Sequence, residues 1–122
     1  MKYITVDGDD VGSKIASCYM INDEEKLENV SRLIKNASDI ISKRLEEFGF
    51  RIVFSAADGV AAFAEDGFIP SEIFAQIKNA AGSEIQYSAG AGTTLRHAYF
   101  SLIMAKSIGK NQICSMEEDI DR

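Results

Sequence analysis

The stretch Arg51-Ile-Val-Phe-Ser-Ala-Ala-Asp-Gly-Val-Ala-Ala-Phe63 lies near the middle of the chain and decides its fold class. Its two ends are rich in β-branched and aromatic residues, which predicts strands over 51–55 and 60–63. Between them, Ala56-Ala57-Asp58-Gly59 predicts a hairpin, because Asp-Gly is a favoured pair for a tight turn with positive φ. A hairpin at this place excludes an all-parallel sheet.

The segment before the hairpin combines one strand pattern with one long helix pattern. Residues 2–6 predict a strand. Asn22 and Glu25 have capping-box spacing, and apolar residues then recur at helical spacing until Gly49, which can end a helix in the left-handed region. Residues 11–20 fit either a short helix or an ordered loop.

The segment after the hairpin adds two helices and two strands. The predicted elements are a helix from Pro70 to Gly82, a strand over 85–92, a helix capped by Thr93 or Thr94 and ended by Gly109, and a short strand over 112–115.

This order is βαββαβ followed by αβ, which predicts a ferredoxin-like α+β sandwich with an antiparallel central sheet, helices mainly on one face, and an appended helix and strand. The predicted domain covers residues 1–116, and residues 117–122 form an acidic tail. The right-handed crossover rule makes the first two strands parallel and leaves room for the third between them. The hairpin turn then lies beside the end of the first strand, which brings Asp58 next to Asp7.

Composition limits the classes of function. The chain has 122 residues, of which 46% are hydrophobic, and a net charge of -6. So acidic a domain is a poor binder of duplex nucleic acid, although a basic cluster or a metal can still attract a small anion. Cys18 and Cys114 form no CxxC pair, so a zinc site is not expected, whereas a disulfide is neither required nor excluded. Without a membrane-length apolar run, the expected location is a reducing cytoplasm.

The two predicted turns carry the acidic residues. Asp7 ends the first strand, Asp9 and Asp10 follow it, and Asp58 lies in the hairpin. Carboxylates held this close repel each other unless a cation lies between them, and oxygen sites of this kind suit Mg²⁺. Two such ions can activate a hydroxyl and stabilise a leaving pyrophosphate.

Possible phosphate-binding groups lie nearby. Backbone N–H groups in the loop Gly8–Gly12, which includes Asp9 and Val11, could approach phosphate oxygens closely. Lys106 and Lys110, on and just after the last helix, could reach the same ligand.

Three better-known motifs fail on inspection. An EF-hand loop starting at Asp7 would place Val11 at its fifth position and Cys18 at its twelfth. A Walker A loop needs Gly-Lys-Ser/Thr, but the chain has Gly12-Ser13-Lys14. The haloacid-dehalogenase phosphatases need a larger parallel sheet than this chain can form.

Four segments together resemble the CRISPR-type polymerase and cyclase proteins and the related GGDEF diguanylate cyclases. They are Tyr-Ile-Thr-Val-Asp-Gly-Asp-Asp-Val-Gly (3–12), Phe-Ser-Ala-Ala-Asp-Gly-Val (54–60), Ser-Ala-Gly-Ala-Gly (88–92) and Ala-Lys-Ser-Ile-Gly-Lys-Asn (105–111). The small size of the chain is similar to that of the minimal CRISPR polymerases, which are associated with anti-phage signalling.

The resemblance implies roles for individual residues. Asp7 and Asp58 would bind two Mg²⁺ or Mn²⁺ ions, with Gly8 contributing its carbonyl, and Lys106 and Lys110 would hold phosphate. The hairpin departs from the family pattern, since Gly59 stands where a second acid is usual, and Asp10 is the alternative source of that carboxylate. Diguanylate cyclases read guanine with an Asn eight positions after the first Asp.

The position eight residues after Asp7 is Ile15 and not Asn. The resemblance therefore favours ATP over GTP as the substrate. The hypothesis is therefore a cytoplasmic nucleotidyltransferase that condenses ATP into a cyclic dinucleotide, cyclic di-AMP above all, or a short cyclic oligonucleotide. It would act as a homodimer, because one palm carries one set of acids. Two alternatives are a different palm enzyme, such as an adenylate or diguanylate cyclase or a GTP-ring-opening hydrolase, and an inactive nucleotide sensor.

Overall fold

The computed structural model describes residues 1–117, which form one five-stranded sheet and four helices. In chain order the elements are β1 (Tyr3–Gly8), α1 (Val11–Met20), α2 (Glu24–Glu47), β2 (Arg51–Ala56), β3 (Gly59–Phe63), α3 (Pro70–Ala81), β4 (Tyr87–Gly92), α4 (Leu95–Ser107) and β5 (Ile113–Met116). Residues 118–122, which belong to the predicted tail over 117–122, lie outside the described residues.

The sheet has the order β2-β3-β1-β4-β5, with β1 at its centre. β3 lies between β2 and β1 and runs antiparallel to both, so β1 and β2 are parallel to each other. β4 is antiparallel to β1, and only β4 and β5 pair in parallel. The predicted ferredoxin-like topology is therefore confirmed.

The main core lies on one face of the sheet. Alternate side chains of β1, such as Ile4 and Val6, point to this face and pack with the apolar stripe of α2, including Ile41, and with Ile77 of α3. α1 joins the same core through Val11. Three helices thus cover one face, which confirms the predicted arrangement of helices mainly on one side.

The last helix, α4, covers the opposite face and lies unusually close to β4. A Cβ atom added to Gly90 would overlap backbone atoms of Ala98 and Leu102, and one added to Gly92 would overlap the backbone of Ala98. Both glycines are buried. They are required because the α4 backbone rests directly on them.

Helix boundaries differ from the sequence prediction at two places. Residues 11–20, which fitted either a helix or a loop, form α1. The predicted cap at Asn22 is wrong: Asn22 adopts a φ of 54°, and the side chain of Asp23 accepts the hydrogen bond from the Lys26 N–H. Asn22 lies in the tight turn between α1 and α2, so the N-cap of α2 is Asp23, one residue later than predicted.

The hairpin also differs in detail. Its positive φ, 50°, falls on Ala57 and not on Gly59, which pairs within β3. β4 begins at Tyr87, so Ile85 is buried in the core before the strand starts. The end at Gly49, the start at Pro70 and the cap at Thr94 are as predicted.

Two further observations concern the whole described region. Cys18 and Cys114 are both free thiols. Within residues 1–117, none of the helices has the length and apolar character needed to cross a membrane.

The close seating of α4 makes Gly90→Ala a test of the fold. We expect this change to lower the free energy of unfolding by about 3 kcal/mol, because the added methyl group must push α4 away from the sheet. Urea denaturation measures the change. Gly12→Ala is the control, since a Cβ there meets nothing within 4 Å, and helix propensity predicts a gain of at most about 1 kcal/mol. Equal stability of the two variants would contradict this packing.

Candidate active site

The ends of β1 and the β2–β3 hairpin bring Asp7 and Asp58 together. Asp7 is the register partner of Gly59, the residue after Asp58. The Gly8 N–H donates to the Asp58 carbonyl at 3.1 Å. Hairpin pairing therefore places the two carboxylates at one edge of the sheet, although they are distant in sequence.

Gly8 occupies a position where an added Cβ atom would force neighbouring side chains to move. A Cβ at this point would lie 2.6 Å from Val11 Cγ2 and 3.2 Å from Asp58 Oδ2. The missing side chain lets the start of α1 and the Asp58 carboxylate both approach the end of β1. This close approach explains the glycine between Asp7 and Asp9.

Lys106 links α4 to the acidic residues at the end of β1. Its Nζ lies 3.0 Å from Asp7 Oδ2, 3.0 Å from the Gly8 carbonyl oxygen and 3.2 Å from Asp9 Oδ1. Burial acts to lower the pKa of Lys106, but its bonds to Asp7 and Asp9 outweigh burial and raise the pKa above the usual value. The side chain is therefore a fixed positive charge at the site.

Asp9 is buried and points inward, away from solvent. Its Oδ1 accepts from the Ser88 hydroxyl at 2.7 Å and from Lys106, and its Oδ2 accepts from the Asn111 N–H at 2.9 Å. The Asn111 N–H also donates to the Ser88 hydroxyl at 3.0 Å. Asp9 thus ties β1 to β4, to α4 and to the loop before β5.

Asp10 and Lys110 form a second, exposed ion pair at the mouth of the site. Asp10 adopts a φ of 59°, and Lys110 and Asn111 adopt φ values of 62° and 51°. The hydrogen bond and charge of Lys110 lower the pKa of Asp10. Asp10 therefore points to Lys110 in this structure.

The predicted loop residues Val11 and Gly12 form the first turn of α1. The Val11 side chain is buried in the core, so only its backbone is free to contact a ligand. Asp10 provides no side-chain cap, and the first turn contains no acidic residue. The first N–H groups of this helix consequently remain available for an anion.

Asp58 is electrostatically strained. Partial burial and the negative charge of Asp7 raise its pKa above the ordinary value. Nearby, burial and the charge of Asp58 raise the pKa of Tyr87 to about 12. The buried Tyr87 hydroxyl makes no hydrogen bond of normal geometry within residues 1–117, and nearby Ser38 donates to the Ala57 carbonyl instead.

Two contributors to the site were not predicted as site residues. Ser88 binds Asp9 from inside a strand of small residues, and Tyr87 places a buried hydroxyl near Asp58. Only the register of β4 against β1, which pairs Tyr87 with Gly8 and Ser88 with Asp7, could have indicated them.

Asp7, Asp58 and the Gly8 carbonyl supply oxygen atoms, the donor type that hard divalent cations prefer. The Lys106 ammonium binds two of these three groups, Asp7 and the Gly8 carbonyl. Within residues 1–117, no cluster of three or more His, Cys, Asp or Glu side chains could hold a metal. Asp9 does not complete such a cluster because its carboxylate is turned toward Ser88 and Asn111.

Comparison with known proteins agrees with this geometry. Residues 3–116 match the family model of the minimal CRISPR polymerase domain. The chain belongs to this family. The match spans every strand and helix of this minimal CRISPR polymerase domain, including both acidic turns and Lys106.

Solved structures share the fold of this minimal CRISPR polymerase domain. One is the active GGEEF domain of a diguanylate cyclase from Vibrio cholerae, with a TM-score of 0.67, 14% identity, and coverage of 97% of this chain and 83% of that one. Another is an EAL/GGDEF domain protein from M. capsulatus, with a TM-score of 0.59, 18% identity, and coverage of 93% and 83%. At these identities the likeness shows the fold alone, and it confirms the expected GGDEF-like palm. A search of curated proteins found no match.

The Asp9 network predicts a stability difference between neighbouring acids. We expect Asp9→Asn to lower the free energy of unfolding by about 1–3 kcal/mol, because an amide cannot accept at both positions and leaves the Lys106 charge less compensated. Asp10→Asn is the matched control. Its exposed site and positive φ both suit Asn, so the change should stay within about 0.5 kcal/mol. Equal losses for the two variants in urea denaturation would show that Asp9 does not hold these elements together.

The raised pKa of Asp58 predicts a stabilising substitution. A raised pKa in the folded state means that the stability associated with Asp58 is complete at low pH and declines as the pH rises through the folded pKa. Asp58→Asn removes that decline, so we expect a gain of up to about 1 kcal/mol at pH 7, limited by solvent screening. The gain should disappear near about pH 3, where the carboxyl is neutral.

Urea denaturation of both proteins at the two pH values measures this effect. Asp66→Asn is the control, because Asp66 is exposed in the turn between β3 and α3 and undergoes the same change of charge. A loss of stability in Asp58→Asn at pH 7 would contradict the electrostatic strain.

Proposed function

We propose that this domain is a metal-dependent nucleotidyltransferase that condenses ATP into a cyclic dinucleotide, cyclic di-AMP above all, or a short cyclic oligonucleotide. The observation that carries the proposal is the juxtaposition of Asp7, Asp58 and the Gly8 carbonyl with the Lys106 ammonium. Carboxylates beside the fixed positive charge of Lys106 suit the binding of a triphosphate together with its metal ions.

The triphosphate would lie at the start of α1. The first N–H groups of this helix lack intrahelical acceptors, and Lys106 and Lys110 flank them from the α4 side. Asp7, Asp58 and the Gly8 carbonyl would hold two Mg²⁺ or Mn²⁺ ions, with Asp10 as a further carboxylate if it leaves Lys110. When bound, the metal ions supply the charge that lowers the pKa of the attacking hydroxyl and neutralises the leaving pyrophosphate.

A cavity beside the hairpin suits the base of that nucleotide. It has a volume of ≈ 450 Å³, lies between α1, α2 and the end of β2, and is lined by Ile15, Lys35, Asp39 and Ala57 among others. Ile15 stands at the position where diguanylate cyclases carry the Asn that reads guanine, and its side chain has no hydrogen-bonding group. This difference favours adenine over guanine. This cavity and the first turn of α1 both lie next to Asp58.

One palm contains one set of acids, and the reaction joins two nucleotides. The proposal therefore includes a homodimer with its active sites near the interface, located in the cytoplasm. Family membership supports a role in anti-phage signalling through the cyclic product.

Incubation with each ribonucleoside triphosphate and Mg²⁺ or Mn²⁺, followed by mass spectrometry, tests the proposal. We expect ATP to give a cyclic adenine dinucleotide or oligonucleotide and pyrophosphate. Asp7→Asn and Asp58→Ala should lower the rate about a hundredfold or more, because each removes charge stabilisation of the transition state. Asp66→Asn, the matched charge control, should leave the rate unchanged.

Other outcomes would identify the alternatives. A cyclic mononucleotide, a guanine dinucleotide or a ring-opened GTP would indicate another palm enzyme. Binding of ATP without pyrophosphate release, unchanged by Asp7→Asn, would show an inactive sensor. The sensor is a real alternative because Gly59 replaces the usual second acid.

A further inference from the structure

Asp58 lies in a turn that is anchored to the rest of the domain on two sides. On one side, the Gly8 N–H donates to the Asp58 carbonyl at 3.1 Å and holds the turn to the end of β1. On the other side, the Ser38 hydroxyl of α2 donates to the Ala57 carbonyl at 2.6 Å. The residue that carries the proposed catalytic carboxylate is therefore fixed between a strand and a helix.

Ser38 is the polar member of the buried stripe of α2. The other buried residues of this helix are apolar, namely Ile34, Ala37, Ile41 and Leu45. Ser38 is only 4% exposed, and a buried hydroxyl is destabilising unless it makes a hydrogen bond. A serine inside a helix can bond to a carbonyl one turn back in the same helix. The Ser38 hydroxyl instead donates out of its helix to Ala57, so the hairpin turn is its partner.

Ala57 adopts a backbone conformation that its side chain disfavours. Its φ is 50°, in the left-handed region, where the Cβ atom crowds the following carbonyl oxygen. A residue in this state persists only where the surrounding structure holds it there. If the turn relaxed at Ala57, the next peptide would rotate and Asp58 would move relative to Asp7. The bond from Ser38 opposes that relaxation because it fixes the Ala57 carbonyl.

We propose that Ser38 is a positioning residue for the reaction: its hydrogen bond keeps Ala57 in the left-handed region and thereby holds the Asp58 carboxylate beside Asp7. This inference rests on the proposed function, because Ser38 would act through a carboxylate that binds metal. Ser38 and Ala57 also line the cavity between α1, α2 and the end of β2. The bond therefore lies between the proposed base site and Asp58.

Glycine at position 57 separates this role from simple packing. Glycine adopts the left-handed region without a steric penalty, so a turn formed by Ala57→Gly does not need the bond from α2. If Ser38 acts through the conformation of Ala57, the effect of Ser38→Ala must shrink in the Ala57→Gly background. If Ser38 only fills space in the core, the effect of Ser38→Ala is the same in both backgrounds.

NMR spectroscopy measures the conformation of the turn without any ligand. The Cα and Cβ chemical shifts and the one-bond Cα–Hα coupling of Ala57 report its φ. We expect the left-handed value in the unmodified protein and a change toward negative φ in Ser38→Ala. Ser42→Ala is the matched control, because Ser42 lies one turn later on α2 and bonds to the Ser55 hydroxyl, not to the turn. It should leave Ala57 left-handed.

The rate of ATP condensation with Mn²⁺ is the second readout. We expect Ser38→Ala to lower kcat about tenfold, which corresponds to about 1.4 kcal/mol and is the size of the penalty for one left-handed residue. In the Ala57→Gly background, the same change should lower kcat less than about twofold, because glycine holds the turn by itself. Ser42→Ala should keep the kcat of the unmodified protein. Urea denaturation checks that every variant is folded.

Other results overturn the inference. If Ala57 stays left-handed in Ser38→Ala, or if the loss of kcat is equal in both backgrounds, Ser38 belongs to the core and does not position Asp58, although the proposed function stands. If the unmodified protein releases no pyrophosphate from any nucleotide, the proposed function fails and Ser38 has no part in a reaction. The NMR measurement then still shows whether Ser38 fixes the turn.

Discussion

The buried carboxylate of Asp9 fixes β4, α4 and the loop before β5 to the end of β1. An unpaired carboxylate in such a position would be destabilising by several kcal/mol, so its presence requires that its bonds be made. They come from Ser88 in β4, Lys106 in α4 and the Asn111 N–H in the loop before β5. Three segments that are distant in sequence are thereby fixed to the end of β1. Lys106 can reach Asp7 and the Gly8 carbonyl only because this anchor and the glycine-rich β4 hold α4 against the sheet.

The fold itself could be predicted from the sequence because it depends on local signals. The Asp58-Gly59 turn, the helical stripe ending at Gly49 and the Pro70 start each have a physical cause within a few residues. Once those elements are placed, handedness and pairing rules leave one arrangement for β1, β2 and β3, and they bring Asp58 to Asp7. Where local signals compete the prediction went wrong, as at Asn22 and Asp23, which are both good capping residues.

The interior of the site could not be predicted in the same way. Ser88 and Tyr87 become relevant only through the register of β4 against β1, and sequence patterns do not fix register between strands that are far apart. Asp7, Asp9 and Asp10 look alike in a sequence, yet the structure buries Asp9 against Ser88 and Asn111 and leaves Asp10 exposed. Asp10 adopts a left-handed φ of 59° and pairs with Lys110, whereas Asp7 and Asp9 both pair with Lys106.

The ion pairs of these acids show which carboxylate of the site lacks a positively charged partner. Asp7 and Asp9 share the Lys106 ammonium, and Asp10 binds Lys110. Asp58 has no ion-pair partner within residues 1–117, and burial together with the charge of Asp7 raises its pKa. The Tyr87 hydroxyl nearby makes no hydrogen bond of normal geometry within the described part of the chain. In the proposed function, a cation between Asp7 and Asp58 would offset both negative charges. With Gly59 in place of a second acid, Asp58 is the carboxylate that the hairpin would contribute to such a site.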